Sequence, residues 1–287
     1  MGGFDLFATE MPPDPRQRWA LMDQAERDAA YDNNAAVADS PALIEARNVG
    51  SAAYRAAHAG ALDLPYGEGE RNRWDLYPAA DPQAPCLVFI HGGYWLRNSR
   101  ELFAMFAEGI TAHGWSAAMP GYTLAPEASL TQIVAEIYAA MDWLASEGAA
   151  HGIAGPVIVS GWSAGAQLAA IVLHHPRVTA GLAISGVFEL APLRDTYLNA
   201  VLKLTNAEVR DFSPLRLPPT PKPLAIAYGS AELATFVWDA RRLHARRAAA
   251  HMPGVLLPVA GANHFTILDE LRRKDGELVR LAGSLIE

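Results

Sequence analysis

From residue 73 onward the chain alternates between short apolar runs and longer segments whose apolar residues recur every three or four positions. After "RWDLYPAA" come "CLVFIH", "WSAAMPGY", "PVIVSGW", "AGLAISG", "PLAIAYG" and "GVLLPVAG". Continuous apolar runs of this length predict strands buried on both faces. Between most of them lie helical patterns. In the clearest, Leu130, Ile133, Val134, Ile137, Met141 and Leu144 stand at offsets of three, four and seven, which paints one face apolar. Strand–helix alternation predicts a mostly parallel sheet with helices on both faces, an α/β fold.

Two segments break the rhythm. Residues 15 to about 60 predict helices in "RQRWALMDQAERDAAY" and "SPALIEARNVGSAAYRAAHAG", with Ser40-Pro41 as a helix start. Residues 1–62 are therefore read as a helical N-terminal arm covering part of a single domain that spans 1–287. From about 187 to 221 the chain is rich in proline and has no clean period. It is too long for a simple loop and predicts a short cap or lid.

Composition narrows the class. With 287 residues, 51% apolar and 19% charged, the chain reads as an ordinary globular protein able to bury a sizeable core. A net charge of −8 argues against a nucleic-acid partner, and Arg241-Arg242, Arg246-Arg247 and Arg272-Arg273-Lys274 read as solvated helix faces. The lone Cys86 excludes an intramolecular disulfide and a thiolate metal site, and reads as a buried, inert thiol. "MGGFDLFATEMPPDP" carries acids and prolines where a signal peptide is basic and then apolar, and no run approaches membrane-spanning length. The expected location is the cytoplasm, without membrane association.

In open α/β sheets, ligands sit beyond the carboxyl ends of the strands, so catalytic residues should follow strand runs. Gly161-Trp162-Ser163-Ala164-Gly165 places a serine between a strand and a helix on a turn sharp enough to expose it. A serine hydroxyl needs a base to take its proton. Among nine histidines, His264 in "VAGANHFTIL" alone combines a strand end, a glycine-containing turn and a late position. An acid must orient that histidine. Glu232 in "PLAIAYGSAEL" is best placed, with Asp195, Asp211 and Asp239 as competitors. "FIHGGYW" exposes backbone N–H groups after a strand, so Gly93 and Tyr94, with Ala164 after the serine, are candidate oxyanion donors, while His91 braces the loop. Trp95, Trp162 and Phe265 adjoin these groups and are candidate walls of an aromatic substrate pocket, with Trp95 and Phe265 the first expected to pack inward instead.

With those motifs in hand, the chain resembles the α/β-hydrolase fold and, within it, the kynurenine formamidase (arylformamidase) family. The resemblance runs through "YDNNAAVADSP", "HGGYW", "GYTLAPEASL", "GWSAG", "GSAELATF" and "NHF". The hormone-sensitive-lipase-like esterases are similar, but usually carry a third glycine where this chain has Tyr94. The family implies a Ser–Asp–His triad falling on Ser163, Glu232 and His264, with Glu in place of the common Asp and Trp162 where His is frequent. It also implies a serine hydrolase without cofactor or metal that cleaves a small aromatic amide of the N-formylkynurenine type. A carboxylesterase or lactone hydrolase for short-chain esters is the alternative. A non-catalytic binding protein and a lyase are the remaining rivals, and a homodimer is left open.

Overall fold

The alternating pattern becomes an eight-stranded sheet in the computed structural model, which describes residues 15–58 and 60–286. Its strands are β1 (Ala61–Pro65), β2 (Arg73–Tyr77), β3 (Cys86–Ile90), β4 (Ser116–Pro120), β5 (Val157–Trp162), β6 (Ala180–Ile184), β7 (Leu224–Gly229) and β8 (Gly254–Val259). They lie in the order β1-β2-β4-β3-β5-β6-β7-β8. The β1–β2 and β2–β4 pairs are antiparallel and all others parallel. The sheet is mostly parallel, as the alternation predicts.

The arm holds α1 (Pro15–Leu21), α2 (Gln24–Ala29), α3 (Asn33–Ala36) and α4 (Ser40–Ala57). Along the sheet follow α5 (Glu108–Ala112), α6 (Leu130–Glu147), α7 (Ala164–Val172), α8 (Asn199–Leu202), α9 (Asn206–Phe212), α10 (Ala234–Ala249) and α11 (Glu277–Gly283). Alternate residues of a strand serve opposite faces. Cys86, Val88 and Ile90 of β3 join the core that includes Ile133 and Ile137 of α6 and Phe236 of α10. Leu87 and Phe89 join the core built with Ile110 of α5 and Leu278 of α11. All six positions of the apolar stripe on α6 are buried. Buried in the middle of the sheet, the Cys86 thiol is pushed up to about 12.

Four local expectations are corrected. The first predicted helix is two, because Asp23 stops α1 and caps α2 through a reciprocal bond set with Glu26. Strand β1 follows directly on the arm, a five-residue run too short to stand out as a pattern. Strand β8 is the sheet edge rather than a strand buried on both faces, and its Val255 is exposed. Arg247 is buried rather than solvated, donating to the Thr220, Lys222 and Pro253 carbonyls at 3.2, 2.6 and 3.0 Å. The proline-rich segment contains a 3-10 turn (Ala191–Asp195) with α8 and α9. Among the described residues, no helix is long and apolar enough to cross a membrane.

A buried ion cluster fixes α4 to the sheet. The fully buried Asp75 of β2 accepts from Arg55 Nε at 2.8 Å, from Arg100 Nε at 3.1 Å and from the Asp63 amide at 3.1 Å. Removing one member of such a cluster leaves uncompensated buried charge. Asp75→Asn should therefore cost about 3–5 kcal/mol. Urea unfolding should show this as a lower midpoint at unchanged slope. A midpoint equal to wild type would mean the cluster contributes nothing net.

Candidate active site

The serine turn owes its shape to close backbone approach. A Cβ on Gly161 would lie 2.2 Å from the Gly165 carbonyl oxygen, and one on Gly165 would lie 2.0 Å from that of Ile90. Only glycine permits α7 to start so close to β3 and β5. Between them Ser163 takes φ +58°, an uncommon conformation for a non-glycine residue. Serine at this position is an ordinary helix cap, yet its side chain makes no capping bond to α7. The hydroxyl is left free, and it lines a cavity of about 420 Å³.

His264 lines the same cavity from beyond β8. Its Nδ1 is 2.9 Å from Glu232 Oε2. The Glu232 side chain is fully buried and saturated with donors: Oε1 accepts from Ser185 Oγ at 2.5 Å and from the Gly229 amide at 2.6 Å. A carboxylate held this way fixes the tautomer with the Nδ1 proton, which leaves Nε2 as the acceptor. Asn263 shapes the turn by accepting from the Phe265 and Thr266 amides, both at 2.9 Å. Trp162 Nε1 donates to the His264 carbonyl at 2.7 Å. The competing acids are engaged elsewhere. Asp195 accepts from Trp19, Asp211 from Arg210, and Asp239 from the Phe188 and Glu189 amides. Burial pushes the Asp239 carboxyl up to about 7.

The His91–Trp95 loop passes against the serine, so close that a Cβ on Gly92 would lie 2.9 Å from Ser163 Cβ. Among the described residues, the N–H groups of Gly93, Tyr94 and Ala164 have no partner within the protein. Unpaired donors beside a serine can receive a developing oxyanion. His91 is buried behind the loop, stacked on Tyr122 at 4.3 Å, and its Nδ1 donates to the Gly92 carbonyl at 2.9 Å. Asn98 Nδ2 donates to the same carbonyl at 3.1 Å.

Of the three candidate wall residues, Trp162 and Phe265 line the cavity; Trp95 packs inward as expected, whereas Phe265, expected to do the same, does not. Trp95 is fully buried in the core, because a ring of that size contributes most by filling volume there. Sequence reasoning missed Ser185, whose only signal is its place directly after β6. It also missed how much of the cavity the arm supplies: Tyr31, Asp32 and Asn33 before and in α3, and Ile44 and Arg47 of α4. From the proline-rich segment only Tyr197 lines the cavity. Tyr94 ties the arm down, donating to the Tyr31 carbonyl at 2.7 Å and accepting from Asn33 Nδ2 at 3.3 Å.

Comparison with known proteins agrees with this architecture. A family model described as alpha/beta hydrolase fold matches residues 87–223, which include Ser163 but stop short of Glu232 and His264. The chain is 25% identical over 261 residues to the kynurenine formamidase of Danio rerio, covering 85% of this chain and 88% of that protein. A solved protein from Silicibacter sp. TM1040, provisionally assigned as a thioesterase, superposes with a TM-score of 0.80 at 28% identity, covering 89% of this chain and 98% of its own. Esterase B from Lactobacillus rhamnosis shares the fold at a TM-score of 0.70 and 18% identity, covering 92% and 94%.

The burial of His91 has a consequence for stability. Desolvation, with smaller contributions from Arg71, Arg47 and Arg100, lowers its imidazole from 6.5 to about 3. Between those values the unfolded chain binds a proton that the folded chain refuses, so this contribution is complete above pH 6.5 and fades as pH falls. At pH 4.5 the loss should be roughly 2–3 kcal/mol. His91→Phe keeps the ring stack and removes the titration. Urea unfolding at pH 7.5 and 4.5 should show a smaller acid loss in the variant, and equal losses would refute the assignment.

Proposed function

We propose that this chain, an enzyme with the α/β-hydrolase fold, is a cofactor-independent serine hydrolase that removes a formyl or small acyl group from an aromatic amide of the N-formylkynurenine type. The observation that carries the reading is one cavity. Ser163 and His264 line it together, His264 is hydrogen-bonded to the buried Glu232, and the unpaired amides of Gly93, Tyr94 and Ala164 adjoin the serine. The likeness to a kynurenine formamidase supports the choice of substrate.

In this reading His264 Nε2 takes the proton as Ser163 Oγ adds to the carbonyl, and Glu232 stabilises the imidazolium. The negative charge on the carbonyl oxygen falls to the three amides. Collapse breaks the C–N bond, and His264 returns its proton to the departing arylamine. Water then attacks the acyl-serine, giving its proton to His264, and breakdown releases formate or a short carboxylic acid and restores the Ser163 hydroxyl. The Trp162 and Phe265 rings suit a flat leaving group, and a formyl group needs little room on the acyl side. A short-chain ester hydrolase is the second reading, favoured by the likeness to esterase B.

A fluorophosphonate probe should label Ser163 alone, as read by peptide mass spectrometry. Ser163→Ala should lose on the order of 10⁴ or more in kcat, because such groups act as a unit. Glu232→Gln should keep the fold and lose several orders of magnitude, since an amide can favour the wrong histidine tautomer. Labelling at another residue, or near-wild-type Glu232→Gln, would overturn these roles.

Substrate choice is tested separately. N-formyl-L-kynurenine should be turned over, and p-nitrophenyl esters should be cleaved best at the acetyl end of a C2 to C12 series. Each misplaced methylene should alter discrimination by roughly 1–3 kcal/mol. Peak activity at C8 or longer, without formamide turnover, would favour the ester reading.

A further inference from the structure

The cavity contains a buried cation without a counter-charge. Arg47 stands in the middle of α4, on its inward face with Ser51 and Tyr54, and is only 8% exposed. It lines the same cavity as Ser163 and His264. Its guanidinium donates to Asn48 Oδ1 from Nε at 3.2 Å and from Nη2 at 2.9 Å, and from Nη2 to Asn98 Oδ1 at 3.4 Å. It lies over the Phe103 ring at 4.4 Å. All of these partners are neutral. Among the described residues, no carboxylate comes within 4.0 Å of Arg47 and its Nη1 has no hydrogen-bond partner. Asp32 also lines the cavity, but its carboxylate caps α3 and makes no ion pair with Arg47.

The chain treats its other buried arginines differently. Arg100 is paired with Asp75, Asp63 and Glu101. Arg247 is buried away from this cavity and donates from Nη1 and Nη2 to three backbone carbonyls. Burial of a charge is costly unless it is paired, and arginine's planar fork matches a carboxylate with two parallel hydrogen bonds. Burial lowers the Arg47 guanidinium to about 10, which leaves it charged at neutral pH. Its plane is held by the Phe103 stack and the two asparagines, so little side-chain freedom is lost when an anion binds.

We propose that Arg47 is an anion subsite of the substrate cavity, taking a carboxylate carried by the leaving group. Asn98 supports the guanidinium and holds the Gly92 carbonyl at 3.1 Å, so the subsite is braced against the loop beside Ser163. Arg97, also lining the cavity, adds positive charge at an exposed position. The inference rests on reading this cavity as the acyl-transfer site and deepens it: the preferred substrates are aryl formamides or esters bearing a free carboxylate.

The test is a matched pair, 3-carboxyphenyl acetate and its neutral methyl ester, each kcat/KM normalised to the ester's uncatalysed hydrolysis. The wild type should favour the carboxylate by ~10- to 100-fold, the range expected for a hydrogen-bonded charge pair. In Arg47→Met that preference should fall towards one, chiefly through KM for the anionic ester, and Arg47→Lys should recover part of it. A wild-type preference near one, or one unchanged in Arg47→Met, would overturn the subsite. Should the methionine variant fail to fold, competitive inhibition of the wild type decides: benzoate should inhibit and benzamide should not, and equal inhibition would count against Arg47. Turnover of neither ester, with no labelling of Ser163, would remove the acyl-transfer reading instead. Benzoate binding by calorimetry, lost in Arg47→Met and weakened in Arg47→Lys, would then still support the subsite, and binding undiminished in both would refute it.

Discussion

The whole site depends on how closely the backbones at the ends of β3 and β5 approach each other. Gly161 and Gly165 let the chain reverse against Ile90 with contacts that no Cβ could share. That packing forces Ser163 to φ +58°, a conformation that costs of order 1–3 kcal/mol and persists only where its surroundings fix it. They do so here. The Ser163 amide donates to the Ile184 carbonyl at 2.9 Å, and its carbonyl accepts from the Ala166 amide at 3.0 Å. The same geometry leaves the Ala164 N–H unpaired at the start of α7 and brings the His91–Trp95 loop alongside. One steric constraint thus sets both the uncapped hydroxyl that faces the cavity and the free amides.

Around that turn the protein handles three buried carboxylates in three ways, and the contrast identifies the partner of His264. Asp75 is neutralised by two arginines and serves as an anchor. Asp239 has two backbone amides and, among the described residues, no cation within ion-pair distance, and burial pushes it up to about 7. Glu232 receives a serine hydroxyl, an amide and an imidazole, which leaves its charge available to a histidine that gains a proton. The distinction lies in the donors gathered from β6, β7 and β8, not in the acid itself.

This explains which features were legible in the sequence. The central strands, the serine turn, His264 and the position of Glu232 obey local rules: an apolar run, a glycine pair, a polar residue directly after a strand. The edge position of β8 was not legible, since its residues are as apolar as those of β7 and only the sheet order exposes them. Trp95 and Phe265 look alike in sequence, both suited to pack inward, yet Trp95 fills the core while Phe265 lines the cavity beside Trp162. Arg47 was hidden for a similar reason. In an alanine-rich helix it reads as a solvated charge, and it faces inward only because α4 packs against the 3-10 turn Arg100–Ala107 that carries Phe103.

Tyr94 links these levels. Its backbone N–H belongs to the unpaired set beside Ser163, while its hydroxyl holds Tyr31 and Asn33 of the arm. The arm is in turn fastened to α10, where Thr235 Oγ1 donates to the Ala30 carbonyl at 2.7 Å, and to the proline-rich segment, where the Tyr197 amide donates to Asp28 at 2.8 Å. A glycine at position 94 could supply the same amide but would release the arm. The tyrosine therefore makes the roof of the cavity and the donor geometry at its floor mechanically dependent on each other. Ile44, Asn33 and Arg47 of the arm line the cavity, so a molecule that contacts them would bear on the same loop. A cavity built this way can couple recognition of the leaving group to placement of the reacting carbonyl without a separate moving lid.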